Sequence, residues 1–198
     1  LLSDLGKTLL RAGAAFAIAM VLGTALGLVV GRRPRVDRLF SAWLVVGLNL
    51  PAIVVAIVLY IWLGLTELAL VSAVVVNKLP LVIVTIREGV RSFAPEYEEL
   101  ARALRFDSWR RFRLIFWPQL LPFVLAAART GLSLIWKIVL VFEVLGSDGG
   151  GGYRVSLMFQ FFDVAGILAY TASFILVVLA FEYGVLGPLE RRALRWRT

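Results

Sequence analysis

The stretch RSFAPEYEELARALRFDSWRRFRLIFWPQLLP, residues 91–122, packs both signs of charge closely together. It lies in a chain that is otherwise apolar enough to dissolve in a bilayer. Of 198 residues, 61% are hydrophobic and 17% charged, against about 25% charged in an ordinary soluble domain. Mean hydropathy is +0.89. A soluble fold cannot bury that much apolar surface. The charged island, taken as about 87–118, is therefore a polar insertion between membrane spans and needs a partner outside the hydrocarbon.

Working outward, several windows approach the ~20 apolar residues that cross a hydrocarbon core of about 30 Å. The chain reads as an all-α, polytopic transmembrane helical bundle, a single domain over 1–198 with five visible spans. These are expected at about 9–30, 39–65, 67–86, 119–141 and 164–185. The second is interrupted at Asn49-Leu50-Pro51, where proline removes a backbone donor and disfavours a helical residue before it, so a kinked or re-entrant piece is expected. Gly23, Gly27 and Gly31 share one face of the first span, a pattern that serves close helix packing. GSDGGGGYR, 146–154, reads as a loop. No strand alternation of the kind a membrane barrel needs is found.

Composition also removes chemistries. There is no cysteine and no histidine. Disulfides, thiolate nucleophiles, the usual zinc sites and a histidine base are excluded. With no G-x-S-x-G and no paired intramembrane aspartates, an intramembrane enzyme has nothing to work with. The net charge of +8 does not point to nucleic acid, because the basic residues cluster beside apolar spans, as membrane orientation requires. Arg32, Arg33, Arg35 and Arg38 follow the first span; Arg87, Arg91, Arg102, Arg105, Arg110, Arg111 and Arg113 belong to the island; Arg191, Arg192, Arg195 and Arg197 close the chain. Five spans put all three groups on one side, which places island and C-terminus in the cytoplasm. On the opposite side, the loops GLTE and GSDGGGGYR hold Arg154 as their single basic residue, and only the head, with Lys7 and Arg11, sits uneasily with that bias. The first span lacks a signal-peptide cleavage site. The chain opens without methionine, and an upstream segment is expected before it.

Within the island, Ser92 and Pro95 with Glu96, Glu98 and Glu99 make a helix start, with acids at the positive end of the helix dipole. Leu100, Ala103 and Leu104 fall on one face, while Glu99, Arg102 and Arg105 point elsewhere. Asp107 or Ser108 caps a second short helix bearing Trp109, Phe112, Leu114, Ile115 and Phe116, which Pro118 is expected to end. Two short amphipathic helices result, suited either to the lipid surface or to a groove on a soluble partner.

The segment from Glu99 to Pro118 resembles the cytoplasmic EAA loop of ABC importer permeases: Glu99, a small residue at Ala101, then Ile115 and Pro118 after a fixed interval. WLGLTEL at 62–68 and LSLIWKIVLVFEVLG at 132–146, followed by a glycine-rich GY, are similar to permeases of the nitrate, aliphatic sulfonate, taurine and bicarbonate group. The resemblance implies a type I importer permease fold. It also implies a second permease subunit, an identical chain by expectation, two cytoplasmic ATPase subunits and an external substrate-binding protein. Coupling to the ATPase would fall on Glu99, Leu100, Ala101, Arg102, Leu104, Arg105, Phe106, Asp107, Trp109 and Phe112. This chain has no phosphate-binding loop, so ATP and Mg²⁺ are expected on the partner ATPase and no cofactor on this subunit. The alternative is a membrane scaffold or assembly subunit with no pathway of its own.

The sequence departs from that family at Leu100, where alanine is usual, and at Arg105, where glycine is usual. Lys78 and Lys137 stand where the group is normally apolar. An intramembrane charge costs at least ~2.5 kcal/mol, so such residues face a bundle interior or a water-filled path. Asn77, Lys78, Trp136, Lys137 and Glu143 are the candidates for lining a path for an anionic solute, with Glu143 as counter-charge to the lysines. Snorkelling, backbone carbonyls or a subunit contact would account for the lysines equally well. Arg129 has a family counterpart and is read as structural.

Overall fold

In a computed structural model the chain is described from residue 2 to residue 188. The tail arginines Arg191, Arg192, Arg195 and Arg197 lie outside the described residues, which contain helices and turns and no strand.

Helix α1 (Leu2–Arg32) begins about two turns ahead of the apolar run, and α2 (Pro34–Asn49) follows directly, with Pro34 in its first turn. The expected break falls at Leu50-Pro51, after which α3 (Ala52–Leu63) departs at 96°. Thr66 then caps α4 (Glu67–Arg91), its hydroxyl accepting the Ala69 N–H at 3.2 Å. Four helical runs are long and apolar enough to cross a membrane, at Ser3–Arg32, Glu67–Arg91, Ser108–Gly146 and Val164–Gly184. The bent pair α2 and α3 supplies the fifth crossing if counted as one span.

The island folds as α5 (Pro95–Ala103) and α6 (Ser108–Arg111), but the second of these is no separate helix. It runs through a π-helical turn, Phe112–Phe116, into α7 (Trp117–Gly146), so Pro118 does not end it. The Trp117 N–H bonds back to the Phe112 carbonyl, five residues away, and the widened turn takes up a proline that has no N–H to give.

A second departure lies beyond α7. The expected loop is only residues 147–150, and α8 (Gly151–Gln160) starts on two glycines before α9 (Val164–Phe181) returns, followed by a second π turn, Glu182–Leu186. Glycine is a poor helix former. Here the first-turn donors are taken up by side chains: Gly151 N–H by Thr8 Oγ1 at 2.8 Å and Gly152 N–H by Glu143 Oε2 at 2.9 Å. A Cβ on Gly152 would run into the Leu140 carbonyl.

The core is laid along α4, which α1 follows in the manner its glycines predict. Cβ atoms at Gly23, Gly27 and Gly31 would fall 2.6, 2.7 and 2.9 Å from the Cβ atoms of Val82, Ile86 and Val90. Only glycine lets the two backbones approach so closely. Val82, Ile86, Leu120 and Ala127 fill the island half, and Ala73, Val74, Ile135, Val139 and Phe142 the half nearer the glycine loop.

Candidate coupling surface and translocation path

At the island end, α5 stops in a Schellman motif. Phe106 N–H bonds to the Ala101 carbonyl at 2.9 Å and Arg105 N–H to the Arg102 carbonyl at 3.1 Å. The residue in the left-handed position is Arg105, with φ of 49°. A side chain there costs roughly 1–2 kcal/mol that glycine does not incur. The turn that the glycine of similar permeases suits is thus made here by arginine, whose side chain is exposed. Asp107 then caps α6, its Oδ1 accepting the Arg110 N–H at 3.3 Å.

Of the ten residues read as coupling candidates, Ala101 alone is buried and Phe106 is half-buried. Glu99, Leu100, Arg102, Leu104, Arg105, Asp107, Trp109 and Phe112 are exposed, a rim spread over α5, the turn after it, α6 and the start of the π turn. Three contacts that the sequence did not reveal hold this rim to the bundle. Arg111 Nε donates to Glu98 Oε2 at 3.0 Å, tying α6 to α5. The Ala94 N–H donates to Gln119 Oε1 at 3.0 Å. The Arg32 guanidinium lies 4.3 Å from the centre of the Phe116 ring, joining the end of α1 to the π turn. A cleft of about 570 Å³ remains between Arg32, Phe93, Glu98, Arg111 and Phe116.

In the middle of the bundle the five path candidates separate. Lys78 is 2% exposed, and its ammonium reaches only the Thr130 carbonyl, at 3.4 Å. Lys137 is exposed, one and two turns beyond Ser133 and Thr130 on the same open face of α7. No carboxylate lies within ion-pair distance of either lysine among the described residues. Trp136 is packed edge-on between Phe174 and Phe181. Asn77 is half-buried at the wall of an apolar cavity of about 410 Å³ with Leu26, Phe40, Leu44 and Pro80. Arg129 pairs with Glu182, at 3.4 Å, in the π turn that follows α9.

Glu143 does not serve as the lysines' counter-charge. It is fully buried at the glycine-loop end, where it accepts from Arg11 Nη1 at 2.8 Å and from Thr8 Oγ1 at 2.9 Å. Arg11 also donates from Nε to Glu67 Oε2 at 2.7 Å and to the Gly149 carbonyl at 2.6 Å. One network therefore joins α1, α4, α7 and the loop into α8. The available clue was complementary charge: Arg11 and Glu143 are a base and an acid set among apolar residues at the same end of the bundle.

The geometry is that of a helical membrane bundle with a polar two-helix projection at one end and polar residues along the open face of α7. The chain belongs to the family of binding-protein-dependent transport system inner membrane components, whose model matches residues 19–186. It is 25% identical over 197 residues to the putative aliphatic sulfonates transport permease protein SsuC of Bacillus subtilis strain 168, spanning 100% of this chain and 71% of that one. It is 29% identical over 196 residues to the formylaminopyrimidine transport permease protein ThiX of Halalkalibacterium halodurans, with coverage of 98% and 78%. With the taurine transport system permease protein TauC of Escherichia coli K12 it shares 23% identity over 192 residues, with coverage of 97% and 70%. Among solved structures, an amino acid ABC transporter with histidines superimposes with a TM-score of 0.77 at 21% identity, covering 96% of this chain and 92% of the other. An inward-facing MetNI methionine ABC transporter does so with 0.80 at 16% identity, covering 98% and 95%. Those two show the shared fold. The chain is thus a non-catalytic permease subunit of an ABC importer, a multi-pass component of the inner membrane.

Proposed function

We propose that this permease carries a small anionic solute along a path on the exposed face of α7 and couples to its ATPase through the Glu99–Pro118 loop. The observation that carries the anionic reading is the pair of lysines, Lys78 and Lys137, inside membrane-spanning helices without a carboxylate partner. A basic lining in a low-dielectric wall concentrates anions and repels cations. Relatives named for aliphatic sulfonates and taurine support the same class.

The coupling reading is supported by the exposed rim on α5 and α6, which is tied to α7 through a helix without a break. A push on the rim is carried into α7 as a rigid-body motion, the usual currency of alternating access. In this reading the whole chain acts as one permease domain, paired with a second copy. The island and the C-terminus face the cytoplasm, while ATP and Mg²⁺ reside on two ATPase subunits and an external binding protein delivers the solute. The face bearing Thr130, Ser133 and Lys137 would then line the path between the two copies.

The test is transport in proteoliposomes with the ATPase and the binding protein. Substitution of Glu99 by alanine is expected to reduce transport and co-purification of the ATPase together. Lys137→Leu is expected to weaken the half-saturating concentration for an anionic solute such as taurine or methanesulfonate by about tenfold, or ~1.4 kcal/mol. Unchanged transport by the Glu99 variant would leave only a scaffold role, and unchanged solute affinity in the Lys137 variant would remove the anionic reading.

A further inference from the structure

Among the described residues, five polar or charged side chains are buried: Asp4, Thr8, Arg11, Glu143 and Lys78. The first four are gathered at the glycine-loop end. Arg11 and Glu143 neutralise each other, Thr8 bonds to Glu143, and Asp4 accepts from Arg154 at 2.8 Å. Lys78 is the exception. Its ammonium carries three donors, and a carbonyl at 3.4 Å is the one partner it reaches. A buried charge without a counter-ion is costly, and an ionisable side chain kept inside a membrane bundle marks a candidate for function.

The surroundings of Lys78 are shaped for a side chain that moves. The Cβ that any other residue would place at Gly131 falls 3.1 Å from Lys78 Cε and 3.7 Å from Nζ, so α7 leaves room for the lysine by having no side chain there. From α1, Phe16 borders the same spot, 3.5 Å from that Cβ position, and offers no charge. Thr130, whose carbonyl receives the ammonium, has its own side chain on the open face of α7 with Ser133 and Lys137. One thickness of helix backbone therefore separates the ammonium from the path. Two residues on, Pro80 stands inside α4 and leaves the Val76 carbonyl without its helical donor, a built-in point of bending beside Lys78.

We propose that Lys78 is a stowed oxyanion site: in this conformation its ammonium rests on the Thr130 carbonyl beneath Gly131, and parting of α4 from α7 delivers it to the carboxylate, sulfonate or similar oxyanion of the solute. This rests on the anionic-solute reading and adds the state dependence. Lys137 attracts the anion in every state. Lys78 engages it only in the state where the helices have separated, so its carbonyl contact and its solute contact alternate.

These 198 residues contain no cysteine, so an introduced thiol is the only one among them. In the assembled complex with its ATPase, Lys78→Cys and Ser133→Cys are each treated with the anionic reagent 2-sulfonatoethyl methanethiosulfonate, without nucleotide and after trapping with ATP and vanadate. Labelling at position 78 is expected to differ between the two states by about tenfold or more, while position 133 labels at comparable rates in both. Equal labelling at position 78 in both states, whether fast or slow, overturns the proposal. Should Lys78→Cys not assemble, Gly131→Ala replaces it: the added methyl crowds the stowed lysine, and basal ATPase activity without solute is expected to change severalfold. An unchanged basal rate overturns the proposal. State-independent labelling alongside an intact Lys137 effect sinks the stowing alone, whereas loss of the Lys137 effect sinks the anionic reading on which it rests.

Discussion

Arg11 and Glu143 meet at 2.8 Å, both almost wholly excluded from solvent, across 132 residues of chain. Four segments converge on this pair, because Thr8 and the Gly152 N–H complete the carboxylate while Glu67 and the Gly149 carbonyl complete the guanidinium. Substituting Arg11 by leucine leaves Glu143 buried and unpaired, with an expected loss of about 3–5 kcal/mol. Thermal unfolding in detergent reads this as a fall in Tm. The double variant Arg11→Leu/Glu143→Leu is expected to recover part of it, and strict additivity of the two single losses would show that the pair is not coupled.

Arg105 occupies the left-handed position of the Schellman turn after α5. Arg105→Gly is expected to stabilise the protein by about 1 kcal/mol, and Arg105→Val to destabilise it, since a β-branched side chain tolerates that backbone least. Paired unfolding curves decide the sign. A drop in stability for the glycine variant would mean that the arginine side chain, and not the backbone, governs this turn.

The seam of α1 against α4 gives an internal control. Gly27→Val places a Cβ 2.7 Å from the Ile86 Cβ and 2.9 Å from the Ile83 carbonyl, and backbone cannot yield as a side-chain tip does. A loss of about 1–3 kcal/mol is expected. Gly13, on the same helix, has no atom within 4 Å of its Cβ position. Gly13→Ala is expected to be neutral or to stabilise by up to about 1 kcal/mol.

Ala101 is the inward-facing residue of α5, and Ile115 on the π turn is buried opposite. Ala101→Leu is expected to tilt α5 off its support and weaken ATPase association by about tenfold, ~1.4 kcal/mol, while the Tm of the isolated permease changes little. Affinity measured by titration of the ATPase against the immobilised permease checks this. A large fall in Tm with unchanged affinity would assign Ala101 to stability alone.

Much of the architecture was legible because the membrane imposes simple lengths and punctuation. The apolar runs, the Leu50-Pro51 break, the glycine face of α1 and the Asp107 cap each rest on local chemistry and appear where expected. The π turn was hidden, since a proline at 118 reads as a stop unless the turn before it widens. Helix α8 was hidden as well. Four consecutive glycines predict a loop, and the side chains that supply the missing partners of Gly151 and Gly152 come from residues 8 and 143.

By itself the sequence determined the class of protein: apolar length, the polarity of the island and the placement of arginine are properties of short segments in contact with lipid or water. Tertiary structure alone decided which charges neutralise one another. It gave Glu143 to Arg11 and left Lys78 with a carbonyl. The physical reason is that a charge in low dielectric is governed by whichever group lies within a few ångströms, and residues from distant spans become neighbours only when the helices pack.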